Sequence, residues 1–126
     1  MSLEIILSLF EDIKESIEKI KRRFKSIKSP DDFLKNGSGS TNLDAIVMRL
    51  QVIGESLKKI DALDSGFLQK YPEIDWAKVK KMRDFISHHY NELDEIKVYT
   101  ACKFDIPDLE KMVNRIIKDI NDLGVV

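Results

Sequence analysis

Cysteine is almost missing from this sequence: Cys102 stands alone among 126 residues. No intramolecular disulfide can form, and a lone thiol suits a reducing compartment, so the cytoplasm is the expected location. Proline and glycine are also scarce, three and five residues, which disfavours a loop-rich all-β fold and a disordered tail. Charge of one sign is not in excess. Lys and Arg number 21 against 22 Asp and Glu, for a net charge of -1, which excludes a broadly polybasic nucleic-acid binder but leaves room for a locally basic cleft. Long apolar runs are missing too. The apolar start, residues 3–10, is interrupted by Glu4 and followed by Glu11, Asp12 and Lys14. It is too short to span a bilayer, and it lacks the basic start and cleavage site of a signal peptide, so no membrane segment is expected.

What the sequence has is helical rhythm. Ile6, Phe10, Ile13, Ile17, Ile20, Phe24 and Ile27 recur at spacings of three and four, which predicts a helix over residues 3–27. Ser29-Pro30 ends it and predicts a short helix carrying Phe33 and Leu34, with Ser29 as N-cap. Asn36-Gly37-Ser38-Gly39-Ser40 has the composition of a flexible loop tip. A second long helix is expected over residues 42–62, with Leu43, Ile46, Leu50, Ile53, Leu57 and Ile60 buried. Gly54 inside it costs about 1 kcal/mol relative to Ala unless a neighbouring helix comes close there. Asp75 is placed to cap a third helix with Trp76, Val79, Met82, Phe85 and Ile86 on its apolar side. Asp94 is placed to cap another with Ile96, Tyr99 and Phe104. Asp105-Ile106-Pro107 marks a break or kink, after which residues 107–123 carry Leu109, Met112, Val113, Ile116, Ile117 and Ile120, with Gly124 at the C-cap position. The length fits one domain over residues 1–126. The expected fold class is all-α, an antiparallel four-helix bundle with an additional short helix.

A bundle can be purely structural, so chemistry must be argued from residues. One stretch resembles a reaction centre: Arg83, Asp84, His88, His89 and Tyr90, preceded by Lys78, Lys80 and Lys81 and followed by Asp94. Asp84 and His88 are i and i+4, so the carboxylate can orient the imidazole and favour its charged form. Arg83 and Tyr90, seven apart, lie within about 20° of each other around an ideal helix. Arg83 and His88, five apart, are separated by roughly 140° at 100° per residue. They converge on one substrate atom only if the helix bends near Ser87 or a second copy of the chain completes the site. The chemistry such residues suit is phosphodiester cleavage without a metal. Arg83 can hold the phosphate and stabilise developing charge, while His88, titrating near neutrality, can move protons. Against this stands the plainer alternative that Arg and His on a helix serve as surface groups or interhelical hydrogen-bond partners. A zinc site lacks ligands at suitable spacing, no Gly-rich phosphate loop is present, and Cys102 reads as a buried thiol. The basic run Lys19, Lys21, Arg22, Arg23, Lys25 and Lys28 reads first as a solvated helix face, although it can touch phosphates. His89 reads as a bystander, and Asp94 as a helix cap.

Arg83-Asp84-x-x-x-His88-x-Tyr90-x-x-Leu93-Asp94 resembles the Arg-x4-His-x-Tyr signature of HepT-like toxins in the HEPN superfamily. Gln51-Val52-Ile53-Gly54-Glu55 resembles that family's second-helix stretch. Tyr71-Pro72-x-Ile74-x-Trp76 resembles its lead into the signature helix, and Asp105-Ile106-Pro107-x-Leu109 the start of its last helix. The Gly/Ser-rich residues 36–40 depart from the family, whose members look more continuously helical there. The resemblance implies a HEPN-like bundle that forms a homodimer and acts as an endoribonuclease toxin on RNA. In it, Arg83 and His88 are catalytic, Asp84 and Tyr90 are supporting, and no metal or other cofactor serves the cleavage. It also implies a minimal nucleotidyltransferase antitoxin as partner, which uses ATP to modify Tyr90 with AMP units. The competing reading of the same residues is a non-catalytic nucleotide-binding or substrate-presenting partner of a nucleotidyltransferase; a third is a plain helical interaction domain.

Overall fold

The computed structural model describes residues 2–83 and 94–124, without the side chains of Ser2 and Arg83. The first helix, α1 (Ser2–Phe24), follows the apolar rhythm of its sequence: Ile6, Phe10, Ile13, Ile17 and Ile20 are each at most 1% exposed. Burial of such side chains stabilises the fold by about 2 kcal/mol each. Its polar face carries Glu15 and Lys19, paired i to i+4 at 3.3 Å. The helix stops three residues before the expected end, and Ile27 closes a turn by donating its N–H to the Phe24 carbonyl at 2.9 Å. A 3-10 turn (Pro30–Phe33) follows, with Ser29 in extended conformation before it. The capping is done less by the Ser29 hydroxyl than by Asp32, whose carboxylate accepts from the backbone N–H of Lys28 at 2.7 Å and of Ser29 at 3.3 Å. The Lys28 N–H, then the Lys35 ammonium at 3.1 Å, hold the Asp32 carboxyl below its ordinary range.

Residues 36–40 are not a loop tip. Helix α2 (Gly37–Leu63) begins there, five residues earlier than expected, with the Asn36 side chain accepting from the Gly39 N–H at 2.8 Å. The glycine has a packing reason. Gly39 is buried, and a β-carbon on it would collide with the backbone carbonyl oxygen of Asp32 and lie 3.1 Å from that of Phe33. The first turn of α2 thus crosses the 3-10 turn at a distance only glycine permits. The predicted stripe Leu43, Ile46, Leu50, Ile53, Leu57 and Ile60 is buried, as is Gly54.

Past Asp64 a 3-10 turn (Leu68–Lys70) leads to α3 (Trp76–Lys80), which tightens into a 3-10 turn over Lys81–Arg83. Trp76, Val79 and Met82 are buried, as expected. Phe85 and Ile86, expected to continue that stripe, lie outside the described residues. The chain re-enters in α4 (Glu95–Thr100), capped by Asp94. The inward residues of α4 are Val98 and, in part, Tyr99, whereas Ile96 and Phe104, expected to be apolar contacts, are about 60% exposed. The break or kink expected near Pro107 takes the form of a change of helical pitch. Residues Ala101–Asp105 form a π-helical turn, in which Ile106 donates its N–H to the Ala101 carbonyl, and α5 (Ile106–Asp122) continues from it. Proline cannot donate to the carbonyl four residues back and its ring crowds that group; one wider turn absorbs the misfit without interrupting the helix. Helix α5 buries Leu109, Met112, Val113, Ile116 and Ile120 and ends at Asp122, two residues before Gly124, whose φ of 73° is the left-handed conformation glycine tolerates.

Helices α2 and α5 both pack against α1. Lys21 near the end of α1 meets Glu110 near the start of α5 at 3.0 Å, while the Phe10 ring lies 5.8 Å from Phe67, beyond the end of α2. Both neighbours therefore run antiparallel to α1. The described residues form an all-α bundle, with no strand among them.

Candidate active site

The signature residues sit between two anchored ends. Asp84, His88 and Tyr90, together with the bystander His89, lie outside the described residues. Arg83 is described in its backbone, as the last residue of the 3-10 turn after α3. The i, i+4 relation of Asp84 and His88 and the alignment of Arg83 with Tyr90 therefore stand as sequence expectations.

The entry to this stretch is built from the Tyr71–Trp76 segment. The Trp76 indole N–H donates to the Tyr71 carbonyl at 2.8 Å in a buried position, and the Asp75 carboxylate accepts from the Lys78 N–H at 3.1 Å. Tyr71 is itself pinned to α5: its hydroxyl donates to Asp119 at 2.9 Å, and the Arg115 guanidinium lies 5.5 Å from its ring centroid. Burial, then the hydrogen bond to Asp119, push the Tyr71 phenol up to about 12. Arg115 also pairs with Glu73 at 2.7 Å, which holds the Glu73 carboxyl low and the guanidinium high. This clamp escaped the sequence reading. Its available signal was Arg115 and Asp119 at i, i+4 on the outer side of α5.

Of the lysines expected to assist Arg83, two have structural partners. Lys78 pairs with Asp105 at 3.1 Å, and Lys80 pairs with Asp61 of α2. They lock α3 to the π turn and to α2. Lys81 is exposed and makes no ion pair among the described residues, so it is the lysine left to attract a phosphate. The turn that bears Arg83 packs on α2 through this region, with Met82 buried. A depression of about 430 Å³, bordered by Asp61, Gln69, Trp76 and Lys80, opens beside it.

The exit is equally fixed. Asp94 accepts from the N–H groups of Ile96 at 3.0 Å and Lys97 at 3.1 Å, as its sequence position predicts. The Tyr99 hydroxyl donates to the Lys28 carbonyl at 2.9 Å, and the Tyr99 ring lies 5.3 Å from Phe24, tying α4 to the end of α1. Both ends of the signature stretch are therefore held by the rigid bundle, the condition under which side chains on the stretch can be positioned for chemistry. Cys102 takes no part: it is buried, and burial pushes its thiol up to about 12. Among the described residues, no group of three or more His, Cys, Asp or Glu side chains is arranged to hold a metal ion, and no helix is long and apolar enough to cross a membrane.

Comparison with known proteins agrees with the signature. A Methanocaldococcus jannaschii protein, named as a candidate RNase, is 40% identical over 76 residues, 60% of either chain. A second from that organism, similarly named, is 36% identical over 78 residues, spanning 65% of its length. A Thermococcus cleftensis protein named "Probable ribonuclease HepT" is 32% identical over 108 residues, 86% of this chain and 92% of its own. This chain thus spans less than two thirds of the first two relatives. No solved structure matches the chain. The family model described as Ribonuclease HepT-like matches residues 13–116, which takes in α1 from Ile13, Tyr71, Glu73 and Arg115 of the clamp but not Asp119, all of Arg83 to Tyr90 and most of α5. With that span, the chain belongs to the ribonuclease HepT-like family.

Proposed function

We propose that this protein is a metal-independent endoribonuclease and the toxin of a toxin–antitoxin pair. The observation that carries the reading is a family match over residues 13–116, a span that includes Arg83, Asp84, His88 and Tyr90, set on a bundle that anchors both ends of that stretch. Arg83 grips a phosphate of the RNA and offsets the charge that builds on its oxygens. His88 accepts the proton of the neighbouring 2′-hydroxyl, whose oxygen attacks the phosphorus. The P–O5′ bond breaks, the 5′-oxygen leaves with the proton that the His88 imidazolium gives back, and the products are a 2′,3′-cyclic phosphate and a 5′-hydroxyl. Asp84, one turn before His88, supports the imidazolium. No metal or other cofactor enters these steps. The five-residue spacing from Arg83 to His88 turns them away from each other on one straight helix. A homodimer in which two signature stretches face one another resolves that divergence.

The same reading includes a cytoplasmic location and a minimal nucleotidyltransferase as antitoxin, which transfers AMP from ATP to the Tyr90 hydroxyl. A bulky anion two residues from His88 would bar RNA from the cleft.

The test is incubation of purified protein with RNA in excess chelator, comparing wild type, Arg83→Ala and His88→Ala with equal melting temperatures. Wild type cleaves, and removal of the proton-transfer group lowers the rate by about 10²–10⁴. Equal cleavage by His88→Ala would remove it from the mechanism. Binding of the nucleotidyltransferase without RNA cleavage would favour the non-catalytic partner instead.

A further inference from the structure

The basic run near the end of α1 divides in the folded chain. Lys21 turns to α5 and pairs with Glu110, and Lys28 bonds the Lys25 carbonyl. Lys19, Arg22 and Arg23 turn the other way, toward α2. There they meet Arg49, with Ala45 and Met48, around an open depression of about 550 Å³. The convergence follows from geometry: 19, 22 and 23 are i, i+3 and i+4 on α1, and 45, 48 and 49 repeat that spacing on the antiparallel α2. Among the described residues, four cations line this groove and no carboxylate does. Lys19 shares its charge with Glu15 at the edge, while Arg22, Arg23 and Arg49 make no ion pair among the described residues. Met48, which also lines it, is 51% exposed, an apolar surface on which a base can lie. A chain of net charge -1 that gathers three arginines around one depression has placed its cations selectively.

We propose that this α1–α2 groove is a second RNA-binding site, which holds the phosphate backbone of single-stranded substrate away from the signature stretch. The proposal rests on the ribonuclease reading for its choice of polyanion. Arginine forks grip phosphate oxygens in pairs and stack on bases, and lysine supplies a point charge. Arg49 lies twelve residues before Asp61, the α2 partner of Lys80, so the groove sits about 18 Å along α2 from the α3 anchor. A single strand lying along α2 would engage both regions. A second copy of this chain is a poor occupant, because a two-fold contact would bring the same four cations together.

The test uses His88→Ala protein, so that RNA stays intact, with a labelled single-stranded RNA followed by fluorescence anisotropy across a salt series. Arg22→Gln/Arg23→Gln/Arg49→Gln, checked for wild-type helicity and melting, weakens binding. Each lost phosphate contact takes about 0.7 from the slope of log K against log salt. The advantage of the unsubstituted groove over the triple variant therefore narrows by about 20-fold between 50 and 200 mM salt. Should the triple variant melt early, Arg49→Gln alone gives about a threefold narrowing. Three outcomes overturn the groove: unchanged affinity and slope, an equal loss from Lys58→Gln/Lys59→Gln/Lys111→Gln elsewhere on the surface, or displacement of RNA by polyglutamate at equal charge concentration. RNA held through the groove by wild-type protein that never cuts it upholds the site and overturns the cleavage chemistry. RNA cut by wild type with no groove dependence of binding does the reverse.

Discussion

Two glycines, two residues apart in one helical turn, should respond oppositely to the same methyl group. At Gly37 a β-carbon meets nothing within 4 Å. The residue has no positive φ, so Gly37→Ala only restricts the unfolded chain, a gain of about 0.5 kcal/mol. At Gly39 the methyl group would drive into the Asp32 carbonyl oxygen and lie 3.1 and 3.2 Å from the Phe33 carbonyl oxygen and carbon. All three atoms are backbone, held by the Asp32 carboxylate bonds to Lys28 and Ser29 and by the burial of the Phe33 side chain. One of the two segments must retreat by about 1 Å to restore ordinary contact. Overpacking of this kind costs about 1–3 kcal/mol; after the entropic gain of about 0.5 kcal/mol, a net loss of about 1.5 kcal/mol remains. For a chain of this length that lowers the melting temperature by about 6 °C, while Gly37→Ala raises it by about 2 °C. Urea unfolding followed by circular dichroism measures both, and unchanged m-values would show that stability moved without a change in the surface exposed on unfolding. If Gly39→Ala proves as stable as Gly37→Ala, the close crossing of α2 over the 3-10 turn is wrong.

Tyr71→Phe removes the hydroxyl that donates to Asp119 and should cost about 0.5–1.5 kcal/mol in urea unfolding. Because the folded Tyr71 pKa is raised from 10.0 to about 12, its proton contributes stability that is fully present below pH 10 and lost as pH rises toward 12. The pH dependence of unfolding in that window should flatten in Tyr71→Phe; an unchanged slope would remove the clamp from the stability of the bundle. Cys102, buried with its thiol raised to about 12, should react with a thiol reagent at pH 8 only as fast as the bundle opens, and at once in denaturant. Rapid stoichiometric labelling of native protein would contradict its placement.

Periodicity carried most of the fold because α1, α2 and α5 earn their stability from one buried stripe each, and a stripe is a local pattern. Asp75, Asp94 and Gly124 were legible for a similar reason, since a cap acts on backbone groups two or three residues away. Residues 36–40 misled because glycine and serine favour loops locally, whereas Gly39 answers to backbone seven residues earlier. The pitch change before Pro107 shows in the sequence only as a break or kink, because proline announces a lost hydrogen bond, not how the backbone absorbs it. At the site, the order of signature residues was visible in the chain. The partners of Lys78 and Lys80 were not, because Asp105 and Asp61 lie 27 and 19 positions away, and the assembly of the Arg22, Arg23 and Arg49 groove depends on two helices meeting.

The proposed chemistry requires a 2′-hydroxyl and no metal, and both requirements can be read in one assay. A defined RNA is first mapped for its cut site in the presence of chelator; the same strand is then made with a single 2′-deoxynucleotide on the 5′ side of that bond. The wild type should cut the all-RNA strand, leaving a 2′,3′-cyclic phosphate and a 5′-hydroxyl, and should spare the substituted bond, with His88→Ala cutting neither. Cleavage of the deoxy-substituted bond, or activity that appears only when a divalent cation is restored, would contradict it.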